Sequence, residues 1–313
     1  MKHDPSAPDR ADGYQRKLKN MKTRRITGSL VAALLMAGCV GPLQTQRIPV
    51  NIGFDPVIGH DTRVVVESVP FPEDGTFNVW AVNQSNGNIH LENETVSCSA
   101  NGWLASKKWP QAELTFDAYS PSDLPFEFSK NKGLTLKDFD CSEGATDILV
   151  AHADNAGMTV DSLVTMTFEH VLSRVEFRMQ HSLSSEMSVK VRKIEMIGFS
   201  SKGTYNSQEN DPWTVGAKDF SYVAFEDEEG VELSSEPIYL GGDFYTIPQL
   251  CNARVEVTYD IKYGNATWIP QTEAIKELDT FWEPSTHYTY TLNLTEQKLT
   301  YTTGISTWSN RIR

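Results

Sequence analysis

Residues 255–263 read Val-Glu-Val-Thr-Tyr-Asp-Ile-Lys-Tyr. Apolar or aromatic side chains occupy every second position, and Glu, Thr, Asp and Lys occupy the positions between them. Successive side chains of an extended chain point to opposite faces, so this run predicts a strand with one buried and one solvated face. The segment 288–294 repeats the pattern, with tyrosine or leucine at every second position.

The same alternation recurs through the chain and is interrupted by clusters of Gly, Pro, Asn and Asp, which favour turns. Further strands are predicted at residues 63–68, 77–82, 112–119, 147–152, 163–168 and 175–179. The alternation changes phase between residues 168 and 175, which predicts a turn or bulge there. Helical periodicity is nearly absent, and residues 272–278 are the one short helix candidate. These patterns predict an all-β protein of two sandwiches, divided in the serine-rich stretch 181–188 into domains at 63–184 and 185–313.

The composition is that of a folded, acidic protein. The chain has 313 residues, of which 39% are hydrophobic and 22% charged, and its formal net charge is -13 at pH 7. Nucleic-acid binding depends on lysine and arginine beside phosphates, so this charge argues against a nucleic-acid partner. The sequence lacks the Gly-x-Ser-x-Gly elbow, Walker loops, His-Glu-x-x-His helices and dinucleotide fingerprints. We therefore predict a protein that is not an enzyme, with no catalytic residues, no cofactor and no metal.

The N-terminus has the pattern of an export signal. Residues 1–20 are polar, and we interpret them as a mis-assigned extension before Met21. Residues 21–38 contain Lys and Arg, then a short apolar run that ends at Gly38, directly before Cys39. Such a run is too short to span a membrane and is typical of a cleaved signal peptide. Its end resembles a bacterial lipobox, which predicts cleavage between Gly38 and Cys39 and attachment of lipid to Cys39.

The other titratable side chains indicate no site. Three cysteines remain after Cys39, namely Cys98, Cys141 and Cys251, and without Cys-x-x-Cys spacing a zinc site is improbable. A disulfide between Cys98 and Cys141 and three free thiols are both compatible with the sequence. His152 and His170 lie on or beside apolar strands, where a hydrogen-bonded core histidine is the commoner outcome.

Several strings in fixed order resemble one family. They are residues 68–81 (Ser-Val-Pro-Phe-Pro-Glu-Asp-Gly-Thr-Phe-Asn-Val-Trp-Ala), 114–121 (Leu-Thr-Phe-Asp-Ala-Tyr-Ser-Pro), 147–151 (Asp-Ile-Leu-Val-Ala), 164–175 and 194–205, followed by Trp213. Together with the lipobox they resemble the Bacteroidales fimbrillin superfamily and, within it, the Mfa-like (major fimbrial antigen-like) lipoproteins. The resemblance runs from about residue 47 to residue 308.

The resemblance implies a pilus subunit made of two tandem transthyretin-like antiparallel β-sandwich domains, anchored in outer-membrane lipid through Cys39. In that family an arginine-specific protease removes the first strand, and the vacated groove accepts a strand from another fimbrial subunit, which is a form of β-augmentation. Arg63 and Arg47 are the candidate cleavage sites, unless they are ordinary strand-flanking arginines. We favour Arg63, because the alternating segment before it lies within residues 39–62 and fits an expelled strand.

The C-terminus leaves the subunit's role open. Only five residues follow Trp308. If Trp308 closes the second sandwich, the chain accepts a strand without giving one and fits a tip or accessory subunit that contacts a host or bacterial surface ligand. An uncleaved chain would instead fit a membrane anchor. Alternatively, residues 299–308 are themselves the donor.

Two other classes of function remain. One is a lipid-anchored surface glycan-binding protein that does not polymerise. The other is an enzyme, which would need a cleft with two carboxylates about 5–10 Å apart.

Overall fold

The computed structural model describes residues 50–61, 66–156, 163–275 and 277–308. In this part of the chain we find strands and no helix. Their bounds are β1 Asn51–Asp61, β2 Val66–Pro70, β3 Thr76–Asn83, β4 Ile89–Ser99, β5 Gly102–Lys108, β6 Leu114–Ser120, β7 Glu127–Ser129, β8 Gly133–Asp140, β9 Leu149–Ala156, β10 Val164–His170, β11 Ser173–His181, β12 Met187–Phe199, β13 Lys202–Asn206, β14 Trp213–Val215, β15 Phe220–Glu232, β16 Ile238–Thr246, β17 Leu250–Cys251, β18 Arg254–Tyr263, β19 Ile269–Ile275, β20 Thr280–Phe281, β21 Thr286–Leu294 and β22 Leu299–Thr307. The described residues thus include no helix that could cross a membrane.

The N-terminal half forms one sheet of eight strands in the order β10-β9-β6-β3-β4-β5-β1-β2. The sheet closes on itself because β1 also pairs with β10, so seven of the strands form a barrel-like ring. Alternate residues point inward and fill the ring, as period two requires. The core includes Phe54, Phe77, Phe116 and Phe168.

The C-terminal half is a sandwich of two four-stranded sheets, with orders β16-β11-β21-β22 and β15-β12-β18-β19. Side chains from both sheets enter one core, for example Phe177 of β11 and Val257 of β18. Trp282 is fully buried in this core, and its indole Nε1 donates a hydrogen bond to the Tyr290 hydroxyl at 3.0 Å. Trp282 therefore packs as a core residue.

A third sheet, with order β14-β13-β8-β7, contains strands from both halves of the chain. It covers part of the outer face of the ring, where Trp80 stacks on Phe128 and Tyr119 stacks on Phe126 with ring centroids 5.3 and 4.4 Å apart. The two halves thus share a small core of their own.

The structure confirms the all-β prediction and corrects some of its details. The N-terminal half is a closed ring, unlike the expected open sandwich, because β1 joins β10 to β5. Residues 272–275 belong to strand β19 and not to a helix. The transthyretin-like description and the domain boundary at 184/185 remain predictions, although β11 lies before that boundary and pairs with β16 and β21, which follow it. Cys98, Cys141 and Cys251 are all free thiols.

Candidate functional site

The first described strand, β1, completes the N-terminal ring. One of its edges pairs with β10 in parallel, from Phe54 opposite Val164 to Ile58 opposite Phe168. Its other edge pairs antiparallel with β5 and then with β2. A parallel neighbour cannot be reached by a tight hairpin, so β10 lies far along the chain. Removing β1 would leave unpaired backbone groups on β10 and β5.

The inward side chains of β1 are anchored in the core of the ring. Ile52 and Ile58 are buried, and Phe54 is 1% exposed. The Phe54 ring meets Phe77 and Phe116 edge-on, with centroid distances of 5.6 and 5.7 Å. The burial of each such side chain stabilises the folded state by about 1.5–3 kcal/mol. The same residues define an apolar groove if the strand departs.

The outward positions of β1 are crowded at two glycines. A Cβ atom on Gly53 would lie 2.7 Å from the Leu163 side chain, and one on Gly59 would lie 2.8 Å from the Thr167 side chain. Both neighbours belong to the β10 side of the ring. Any other strand in this position needs small residues at these two places or must displace side chains.

The predicted processing residues lie outside the described residues. Gly38, Cys39 and Arg47 precede residue 50, and Arg63 falls in the gap 62–65. In the sequence Arg63 lies between the end of β1 at Asp61 and the start of β2 at Val66.

The last strand, β22, lies at the edge of its sheet and pairs only with β21 among the described strands. Most of its side chains face solvent, and Ile305 is 66% exposed. Leu299 and Trp308 hold its two ends, because both are buried. The Trp308 ring stacks between His170 and Tyr245, with centroids 4.0 and 5.0 Å away. Trp308 therefore belongs to the folded core.

His170 and His152 differ in their surroundings. His170 is buried and its Nδ1 lies 2.8 Å from a carboxylate oxygen of Asp147, as expected of a core histidine. The side chain of His152 is 45% exposed and is held between two carboxylates, those of Asp117 and Asp154. The sequence did not indicate this second arrangement, because Asp117 comes to lie opposite His152 only when β6 and β9 pair.

Among the described residues, one group of side chains has the spacing of metal ligands, namely Glu176, Asp243 and His287. Arginines already pair with both carboxylates, Arg178 with Glu176 at 2.8 Å and Arg174 with Asp243. Burial lowers the pKa of His287. The group is an ion-pair network of one buried and two half-buried residues.

The sequence and the fold were both compared with those of known proteins. The sequence matches the family described as fimbrillin-like over residues 62–308. A fimbrial protein from Bacteroides vulgatus has a similar fold, with a TM-score of 0.61, 16% identity and coverage of 83% of this chain and 100% of that chain. A candidate cell adhesion protein from Bacteroides ovatus gives a TM-score of 0.53 and 15% identity, with coverage of 84% and 99%. No curated protein matches the sequence.

At these identities the two solved structures support the fold alone. The family match stands on the sequence itself and extends over most of the chain, from the gap after β1 to Trp308. The chain belongs to the fimbrillin-like family.

Proposed function

We propose that this chain is a non-enzymatic structural subunit of a cell-surface fimbria, in a tip or accessory position, which contacts other subunits through strand exchange and serves as an adhesin. Membership of the fimbrillin-like family supports a role in fimbriae. The solved structure from Bacteroides vulgatus, itself described as a fimbrial protein, supports a fold suited to that role.

The position of β1 carries this proposal. The strand lies between β10 and β5, and its inward side chains fill the core of the ring. Without β1, the ring would expose both an apolar groove and unpaired N–H and C=O groups. A strand from a neighbouring subunit satisfies both at once, which is the physical basis of β-augmentation.

Cleavage after Arg63 would separate β1 from the rest of the fold. Arg63 lies in the short link between β1 and β2, whereas Arg47 lies before β1, so a cut at Arg47 would leave β1 attached. The family match begins at residue 62, directly after β1, which supports a mature unit that starts at this link.

The C-terminal strand supports an accepting role. Trp308 is buried between two rings, so β22 is tied to its own subunit. If β22 is not donated, the subunit can accept a strand from a neighbour while its own last described strand stays in place, which suits a tip position. The pairing of β11 with the C-terminal strands leads us to place the boundary between the two proposed domains at Val171–Leu172.

We also propose that the subunit reaches the outer membrane as a lipoprotein, with Cys39 acylated after cleavage at Gly38. This part of the proposal stands on the sequence of residues 21–39 alone.

The test is the N-terminus of protein sheared from cells that assemble the fimbria. We expect sheared wild-type protein to begin after Arg63, and Arg63→Lys to remain in membranes as a form that begins at Cys39. Arg47→Lys is the matched control and should be processed normally. Normal trimming of Arg63→Lys would contradict the cleavage site. Wild-type protein found only as the lipidated membrane form would favour the non-polymerising glycan-binding function.

A further inference from the structure

A cleft on the outer face of the ring has no part in the strand exchange proposed above. It has a volume of about 520 Å³. Residues of β6, β9 and β10 line it, together with the end of β13 and the turn that follows β13. We call it the Tyr205 cleft. Its polar lining consists of Asp117, His152, Thr167, Glu169, Tyr205, Ser207 and Gln208. Cavities that bind small ligands typically measure about 300–1,000 Å³, so its size fits a small molecule.

One wall of the cleft is a fixed ion pair. His152 Nδ1 lies 2.8 Å from Asp117 Oδ1, and His152 Nε2 lies 3.0 Å from Asp154 Oδ1. The hydrogen bond to Asp117 raises the pKa of His152 to about 9, so the ring is a cation that donates from both nitrogens at neutral pH. Asp117, itself buried, is thereby held in one orientation at the cleft wall.

Tyr205 provides an unused hydrogen-bonding group in the cleft. The residue is only 5% exposed, and its ring packs against Trp213 at a centroid distance of 5.3 Å. No hydrogen bond joins its hydroxyl to another described residue, so the hydroxyl is available to a ligand in the cleft. Burial and the nearby charges of Glu169 and Asp117 raise the pKa of Tyr205, so the hydroxyl stays protonated and can donate a hydrogen bond.

The chemistry of the lining selects a class of ligand. The carboxylates of Asp117 and Glu169 line the cleft, and a third carboxylate, that of Asp154, pairs with His152 beside it. Three carboxylates thus accompany one histidine cation, so an anionic ligand is disfavoured. Carboxylates accept hydrogen bonds, whereas a tyrosine hydroxyl and a glutamine amide both accept and donate. The rest of the wall is apolar and includes Val150 and Val171. A sugar offers hydroxyl groups of both kinds together with apolar C–H faces.

We propose that the Tyr205 cleft binds one neutral sugar residue of a surface glycan, with the Tyr205 hydroxyl and the Asp117 and Glu169 carboxylates contacting its hydroxyl groups. The cleft lies on the outer face of the ring, whereas the β1 groove opens into the core of the ring. It would supply the adhesive contact of a fimbrial subunit or of a non-polymerising surface protein.

The experiment uses the full chain on an array of glycans that end in neutral hexoses, amino sugars or sialic acid. Methyl glycosides of each neutral sugar that is bound are then titrated and observed by saturation-transfer NMR. Tyr205→Phe removes only the hydroxyl and keeps the ring packing. Tyr263→Phe is the matched control, because Tyr263 is exposed and does not line the cleft.

We expect binding to neutral ends and not to sialylated ends, and about tenfold weaker binding by Tyr205→Phe at an unchanged melting temperature, which corresponds to the loss of one hydrogen bond. Gln208→Ala should also weaken binding, and it provides a second test should Tyr205→Phe fold poorly. The proposal is wrong if no neutral sugar binds, or if both variants bind as tightly as the wild type. Those outcomes would leave the processing at Arg63 untouched, so this proposal and the strand exchange fail separately.

Discussion

Replacing Phe54 with alanine tests whether β1 is an integral part of the N-terminal core. The Phe54 side chain is 1% exposed and contacts two other phenylalanine rings edge-on. Truncating a buried phenylalanine to alanine costs about 3–5 kcal/mol, because the transfer of the ring to the core is lost and a cavity remains. The free energy of unfolding of an ordinary domain is about 5–15 kcal/mol, so the substitution should remove a large fraction of it.

The assay is urea unfolding followed by tryptophan fluorescence. Trp103 reports on this core directly, because its ring lies 5.6 Å from that of Phe77. Asp55→Ala is the matched control, since Asp55 is the next residue on β1 and is exposed. We expect the control to change the free energy of unfolding by no more than about 0.5 kcal/mol, as surface substitutions usually do.

The same substitution predicts how tightly a cleaved β1 is retained. If the chain is cut after Arg63, the free β1 segment is held only by its pairing and by its buried side chains. Losing about 3–5 kcal/mol corresponds to retention that is roughly 10²- to 10⁴-fold weaker. A Phe54→Ala protein that loses less than about 1 kcal/mol of stability would refute the placement of this ring in a close-packed core, given the range for buried phenylalanines.

Three other predictions concern the rest of the fold. Gly241→Ala should lower the melting temperature, because its φ is +82° and a Cβ atom there would collide with the facing carbonyl oxygen of β15. Gly242→Ala is the control, because a Cβ atom at Gly242 meets open space and should leave the melting temperature unchanged. Equal melting temperatures for the two variants would contradict this contact. The Asp117 hydrogen bond raises the pKa of His152 from 6.5 to about 9, so its stabilising effect is complete below pH 6.5 and is lost as the pH rises through about 9. The urea midpoint should fall slightly over this interval in the wild type and stay level in His152→Gln, the effect being small because solvent screens the half-exposed ring. Iodoacetamide should label Cys98 in the native protein, whereas Cys141 and Cys251 are buried and should react only after unfolding. Burial raises the pKa of Cys141 to about 11 and that of Cys251 to about 12, so neither thiol is deprotonated at neutral pH. Rapid labelling of all three would show an open core.

Local pattern was enough to identify many of the strands. The run 255–263 lies within β18, and the segment 288–294 lies within β21. Both strands bury every second side chain over most of their length, although in β18 Asp260 is also buried and Tyr263 is exposed. The break expected between residues 168 and 175 is also present, as the turn at Val171 and Leu172 between β10 and β11.

Edge strands were harder to predict because they lack a buried face over much of their length. In β19 the first four residues, from Ile269 to Thr272, are all exposed, so no alternation marks them. The strand exists because its backbone pairs with β18, with Val255 opposite Ile275 at one end. Residues 272–278 therefore resembled a short helix in the sequence, although pairing with a neighbour makes 272–275 part of a strand.

Composition and residue pattern were enough to predict the all-β class, the acidic character, the export pattern before Cys39 and the resemblance to fimbrillins. The closure of the ring by β1 became evident only in the folded chain, because its partner β10 lies more than 100 residues away in the sequence. Likewise, the Tyr205 cleft gathers side chains from four separate strands and a turn. Alternation reports whether a residue faces inward or outward, and it carries no information about which distant strand comes to lie beside it.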